Sequence, residues 1–302
     1  MRGIALVGLN SLYRSGATAF LAHLGSVLDW DDDKLIVFNE SAEPKEDDIE
    51  DYIAMTGYIR DTEADILEDF QHVIFAAPRW GGNYNFLPKR LRSVGIIIHD
   101  VNDFDRMGMW DLIEKYPDAC LFSVDDAVSG RAAPRGITKI KQPFNMDLMP
   151  KPLPHTEEKE FLVTSRPTPS KNHDLIRQLT QGYPLNVLGA NGIYTYPELA
   201  EAYSRAVGVL DASIFPEPHR RSQYSLLEAW HFGCPFLCFK EWFDEDEVIP
   251  EMTVLELNKT NLARIYNDTD SIIEMLIANG ESALTFHNPD IVWQSIMKVM
   301  NE

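Results

Sequence analysis

A chain of 302 residues exceeds one ordinary domain and suits two of about 150 residues, each able to bury its own core. Its 45% apolar and 25% charged residues match an ordinary globular protein, and no window approaches the roughly 20 apolar residues of a membrane span. The formal net charge of −20 argues against a general nucleic-acid binder, because phosphate contacts need a basic surface.

The acid is localised. Residues 29–69 carry 16 acidic and 3 basic side chains, a net of −13, whereas residues 70–150 carry 10 basic and 9 acidic, a net of +1. Cys120, Cys234 and Cys238 are too few and too scattered for a disulfide framework, and no His pair stands near to complete a metal cluster. No structural metal is expected. The opening MRGIALVGLN reads as a first β-strand, since no cleavage site follows a sustained apolar core, and a cytoplasmic location is expected.

From there, strand-like apolar runs alternate with helical periodicity: GIALVGL, the helix TAFLAHLGSVL, KLIVFN, HVIFAAP, GIIIHD and ACLFSVDD. Short continuous apolar runs mark parallel strands buried on both faces, so a doubly wound α/β sheet is implied, with ligands at the strand carboxyl ends. The stretch from Gln142 to Glu160 holds four prolines and no periodicity and reads as a linker. The first domain is therefore 1–150.

The pattern restarts over 151–302: FLVTS, the helix NHDLIRQLTQG, LNVLG, the helix PELAEAYSRA, VGVLDAS, a helix from Tyr224 to Phe232, and PFLCF. A second α/β domain follows. In DIVWQSIMKVMNE, Ile291, Trp293, Ile296, Met297 and Met300 recur near helical period, giving a closing amphipathic helix able to pack back on the first domain.

Arg166 and Lys171 stand in the loop between FLVTS and the next helix, so two cations face a strand's carboxyl end. A guanidinium fork and an ammonium point charge together suit a diphosphate leaving group without a metal. Solvated loop cations are the plainer alternative. In RRSQYSLLEAWHFGCPFLCF a polar loop leads into a helix, whose first N–H groups, from Tyr224, Ser225 and Leu226, can bind phosphate oxygens. Glu228 sits one turn deeper, where a carboxylate can accept both hydroxyls of a ribose, although a helix glutamate is more often solvated or salt-bridged.

Taken together, these pieces resemble glycosyltransferase family 4 and its relatives. That family carries an Arg, four residues and a Lys after the first strand of its C-terminal domain, matched by RPTPSK from Arg166 to Lys171. LLEAWHFGCPFL is similar to its Leu-Glu-Ala helix and Gly-x-Pro turn. The resemblance implies a GT-B fold: two Rossmann-like doubly wound domains facing a cleft, an N-terminal acceptor domain and a C-terminal nucleotide-sugar domain. It also implies a metal-independent, retaining hexosyl or pentosyl transferase with no cofactor, whose donor is a UDP-sugar and whose ribose ligand is Glu228.

The family's second Glu, eight positions earlier, is replaced by Arg220, with Glu217 three residues away, so the sugar end of the site is left open. RSQYSLLE also resembles the corresponding segment of phage α-glucosyltransferases that modify hydroxymethylcytosine in DNA; for a phage chain the location would be the host cytoplasm. GLNSLYRSGATAFLAHL is similar to the family's loop and helix in which a glycine, here Gly16, approaches the donor phosphates; the alternative is a plain helix start capped by Ser15. It does not match GxGxxG, which disfavours a nicotinamide cofactor. GIIIHD ends in a His-Asp pair shared with many family members, so His99 would donate a hydrogen bond to the donor sugar and Asp100 would orient or deprotonate the acceptor hydroxyl. A capping Asp beside a satisfied histidine is the alternative. His231 is read as packing.

Two stretches of the first domain, RWGGNYNFLPKRLR and RAAPRGITKIK, each contain four Arg or Lys and no acid, and the first interleaves Trp80, Tyr84 and Phe86. With the phage-like segment they make DNA the leading acceptor partner, against a glycan, lipid-linked sugar or small molecule. A nucleotide-sugar epimerase and an inactive GT-B binding module are the competing classes.

Overall fold

The computed structural model of the chain describes residues 2–8, 16–29, 31–38, 58–60, 64–78, 84–101, 103–104, 108–125, 128, 135–165, 167–188, 195–213, 223–243, 248–267 and 271–302. Arg166, Glu217, Arg220, Ser15 and Trp80 lie outside these residues. Two compact units result: Met1–Leu148 with His287–Glu302, and Met149–Phe286.

The first unit is built on β1 (Arg2–Gly8), α1 (Gly16–Gly25), β2 (Lys34–Val37), β3 (Tyr58–Arg60), β4 (Phe70–Ala77), β5 (Val94–Ile98), α2 (Met109–Lys115), β6 (Cys120–Ser123) and β7 (Ile137–Lys139). Its seven strands are all parallel, in the order β3-β2-β1-β4-β5-β6-β7. Ala5, Leu6 and Val7 of β1, Ile74 and Phe75 of β4 and Ile96, Ile97 and Ile98 of β5 are fully or almost fully buried. These are the strands that read as unbroken apolar runs, because helices cover both faces of a parallel sheet. Strand order reverses between β1 and β4, and a doubly wound sheet opens its ligand crevice at such a point, outside the strand carboxyl ends.

The second unit is smaller. It comprises β8 (Glu160–Val163), α3 (His173–Leu179), β9 (Leu185–Val187), α4 (Tyr196–Arg205), β10 (Ala206–Asp211), α5 (Tyr224–His231), β11 (Phe236–Cys238), β12 (Leu255–Glu256), α6 (Lys259–Asn267) and α7 (Ser271–Leu284). Its five parallel strands run β9-β8-β10-β11-β12, so the switch point falls between β8 and β10. Thr195 starts α4 with a capping box: its hydroxyl accepts from Glu198 N, while the Glu198 carboxylate accepts from Thr195 N. The α5 helix packs closely on α7. A Cβ at Gly280 would fall 2.7 and 2.8 Å from Cγ and Nε1 of the buried Trp230 indole, so only glycine permits this approach.

The closing helix, α8 (Pro289–Met300), belongs to the first unit and packs against α1 and β6. Asn288 caps it by accepting from Asp290 N, and Pro289 occupies its first turn. Its buried face is Pro289, Val292, Ile296 and Met300, spaced by three and four residues. The expected face is corrected here: Ile291 is 48% exposed, one residue off the stripe, because the helical period selects Val292 beside Ile296. The Gln142–Glu160 stretch also divides. Gln142 and Phe144 are buried in the first unit, with Phe144 N donating to His287 O and Asn145 N to His23 Nδ1, while residues 151–159 are exposed.

Candidate active site

The switch point of the second unit brings three segments together. After β8 the chain passes through a 3-10 turn, Pro169–Lys171, and Asn172 takes a left-handed conformation, φ 47°, to enter α3. Asparagine tolerates that region better than most residues, and this reversal sets Lys171 beside the end of β10. There Lys171 Nζ lies 3.4 Å from Asp211 Oδ2 and donates to Gln223 Oε1 at 2.7 Å. Gln223 precedes α5 as its N-cap, but its side chain makes no capping bond and turns to the lysine instead.

Asp211 is 1% exposed and ends β10. Its two oxygens are used differently. Oδ1 accepts from Ser213 N at 2.8 Å and from Ser213 Oγ, closing a local turn; Oδ2 takes Lys171 Nζ and, at 3.4 Å, Ser225 Oγ in the first turn of α5. An ammonium has three donors, and two are engaged with Gln223 and Asp211. The Lys171 side chain retains 22% of its accessible surface, so the charge is held in place yet reachable.

In α5, Leu226 N donates to Gln223 O at 3.0 Å, so that N–H is already engaged within the helix and Leu226 itself is fully buried. Tyr224 and Ser225 hold the two positions before it, where an α-helix offers no intrahelical carbonyl to the backbone N–H. Glu228 follows Tyr224 by one turn and is 6% exposed, so it is not the solvated helix glutamate of the plainer reading. His231, at the end of the same helix, bonds Pro150 O through Nε2 at 3.0 Å and packs edge-on to Phe232. Burial holds it below its ordinary value.

Sequence reasoning passed over His173, which is buried at the start of α3 with Nε2 3.2 Å from Ser165 Oγ. Burial, then the Arg177 charge, lowers its pKa; Asp211 opposes the shift and Lys171 adds to it, favouring a neutral imidazole beside the lysine. Asp211 and Gln223 were missed as well. The only signal for Asp211 was an acid ending the apolar strand VGVLD, the same signal that singled out Asp100 after GIIIH.

In the first unit, His99 and Asp100 follow β5 and Gly16 opens α1. His99 Nε2 lies 2.6 Å from Ala76 O, and since a carbonyl only accepts, Nε2 carries the proton. Phe20, one helical turn after Gly16, meets the His99 ring edge-on with centroids 4.8 Å apart. Asp103 secures the turn after β5: one carboxylate oxygen accepts from His99 N at 3.1 Å and Asp100 N at 3.0 Å. Gly16 is exposed, and among the described residues a Cβ there would meet nothing within 4 Å.

The basic stretches are split by β5. Arg90 and Arg92 precede that five-residue strand whereas His99 and Asp100 follow it, about 16 Å apart at 3.3 Å per residue. Lys139 is closer, because Ile98, Ser123 and Lys139 are in register across three adjacent strands, about 10 Å in all. Among the described residues no group of three His, Cys, Asp or Glu side chains could hold a metal ion, and no helix is long and apolar enough to cross a membrane.

Two parallel Rossmann-like sheets with flanking helices define the GT-B fold, and the chain's structural neighbours are GT-B glycosyltransferases. No family model matches the chain, and no curated protein sequence matches it. Among solved structures it is similar to an α-glucosyltransferase in complex with UDP, with TM-score 0.77, 11% identity and 100% of both chains covered. An α-glucosyltransferase in complex with UDP and a 13-mer DNA containing an HMU base gives TM-score 0.74 and 11% identity over 99% of each chain. HepE of Anabaena, in complex with UDP and glucose, gives TM-score 0.71 and 13% identity over 100% of each chain.

Proposed function

We propose that the chain is a metal-independent, retaining glycosyltransferase that moves a hexose or pentose from a UDP-sugar to an acceptor hydroxyl. The observation that carries this reading is Lys171, an ammonium fixed by two acceptors at a sheet switch point, in front of the first turn of α5. A fixed cation beside helix N–H groups matches the charge that develops on a departing diphosphate. In this reading Arg166 and Lys171 neutralise the diphosphate, the Tyr224 and Ser225 N–H groups bind its oxygens, and Glu228 accepts the ribose hydroxyls. Gly16 leaves room for the donor. His99 serves the sugar and Asp100 orients the acceptor.

The leading acceptor is a hydroxymethylated base in DNA, supported by the likeness to an α-glucosyltransferase solved with modified DNA and by Lys139 at the same sheet edge as Asp100. Arg90 and Arg92, a strand length away, would meet flanking phosphates and not the reacting base. The net charge of −20 favours a second reading, a glycan, lipid-linked or small-molecule acceptor.

Diphosphate release from UDP-, GDP- and ADP-sugars, with and without hydroxymethylated DNA, tests both readings. Release from the UDP-sugar that rises only with that DNA is the expected result. Equal rates without it would remove DNA as acceptor, and conversion of the nucleotide sugar with no acceptor would indicate an epimerase. Lys171→Ala should cost about a hundredfold in turnover, the scale of losing one charge-stabilising donor. Unchanged binding and turnover in that variant would end the transferase reading.

A further inference from the structure

We infer that Asp211 is a positioning residue for the donor diphosphate: its Oδ2 aims the Lys171 ammonium and ties it to the first turn of α5. The inference rests on the nucleotide-sugar reading of this site.

A carboxylate that is 1% exposed must be compensated, because an isolated buried charge is costly. A purely structural answer was available. Ser213 supplies a backbone N–H and a hydroxyl to Oδ1, which is enough to close the turn after β10. Oδ2 does something else: its partners, Lys171 Nζ and Ser225 Oγ, come from the loop after β8 and from α5, 40 and 14 residues away in sequence. One side chain therefore links the three segments that converge on the switch point.

The consequence for Lys171 is directional. A lysine on a loop has four rotatable bonds and would lose much side-chain entropy on meeting an anion. With Gln223 Oε1 and Asp211 Oδ2 fixing two of its donors, the remaining N–H has a defined direction before any ligand arrives. Preorganisation of this kind strengthens binding by lowering the ordering cost, and here it outweighs the repulsion between a carboxylate and a diphosphate, because the ammonium stands between them.

The division of labour between the two oxygens supplies a selective test. Asp211→Asn can keep its carbonyl oxygen on Ser213 while placing an NH2 group against Lys171 Nζ, where two donors cannot bond. UDP affinity should be measured by calorimetry on the full chain for the parent, Asp211→Asn, Lys171→Ala and the double variant, with thermal melts alongside. The expected outcome is an affinity loss of about tenfold for Asp211→Asn with its melting temperature retained, and no further loss when it is added to Lys171→Ala. Equal losses from Asp211→Asn with and without the lysine would reduce Asp211 to a structural role and overturn the inference; so would unchanged or tighter UDP binding. If Lys171→Ala leaves UDP binding intact, the nucleotide-sugar reading itself fails, a distinguishable result. Should Asp211→Asn not fold, Ser225→Ala removes one Oδ2 partner without touching the turn. It should weaken UDP about threefold in the parent and not at all in Lys171→Ala, and equal effects in both would again refute the positioning role.

Discussion

At the carboxyl edge of the first unit's sheet, one carboxylate oxygen of Asp103 accepts from backbone, from His99 N and Asp100 N. At the corresponding edge of the second unit, Asp211 shares its carboxylate between one turn and two side chains from distant segments. The first arrangement fixes a loop; the second fixes a charge. Substitutions at the first edge should therefore register in stability before ligand binding, while those at the second should do the reverse unless they disturb the packing that holds α5.

The largest effect expected from breaking that packing is at Gly280. Alanine there gains about 1 kcal/mol of helix propensity but drives a methyl into the Trp230 indole, and overpacking against a rigid ring costs about 3 kcal/mol or more. A net destabilisation of about 2 kcal/mol, read by urea unfolding with Trp fluorescence, is expected. A net stabilisation would mean that α5 and α7 are loosely packed and that α5 is not held by this contact.

Asp103→Ala comes next. It strips the acceptor from two backbone N–H groups, one of them on the buried His99, and should cost about 2 kcal/mol. Both bonds converge on one oxygen, which Asp103→Asn can keep, so asparagine should cost less than alanine. If alanine and asparagine were equally mild, the turn after β5 would be held by something other than this carboxylate.

A smaller effect is expected from pH. His72 in the first unit and His173 and His231 in the second all lie below their ordinary value of 6.5, with burial the largest cause in each. Between each lowered folded value and 6.5 the unfolded chain binds more protons than the folded one. Their contribution is therefore complete above 6.5 and is lost as pH falls below it, through the folded values. His173 and His231 belong to the second unit, so Trp230 fluorescence should report a loss of stability there as pH falls below 6.5. Melts run from about pH 7.5 to about pH 5.5, above most carboxylate titration, would show this, and stability that rose on acidification would contradict it.

The strands most easily read from sequence were those buried on both faces, such as VIFAA in β4 and GIII in β5, because a parallel sheet leaves no polar face to break the run. β3, β7 and β12 escaped notice. Each is two or three residues long and lies at the edge of its sheet, so none forms an apolar run that stands out from loop. The candidate site divides on similar lines. Lys171 was visible as a cation after a strand, but what makes it more than a loop lysine is Gln223, 52 residues later, which only the strand order brings alongside. Asp103 and Asp211 carry no signal in the sequence beyond that of an acid at or shortly after the end of an apolar strand. Their buried partners could not be inferred from spacing.

Gly16→Ala should have the smallest effect on the fold and is the cleanest way to separate fold from ligand at the first unit's edge. The position is exposed, and a Cβ at the start of α1 would meet nothing within 4 Å among the described residues. Stability should move by no more than about 0.5 kcal/mol, as for other surface substitutions that touch nothing. Among the described residues, then, no contact demands glycine at this position, and a change confined to ligand binding would point to the donor. Under the proposed function the added methyl should raise KM for the UDP-sugar about tenfold while melts stay unchanged. An unchanged KM would leave Gly16 as a plain helix start.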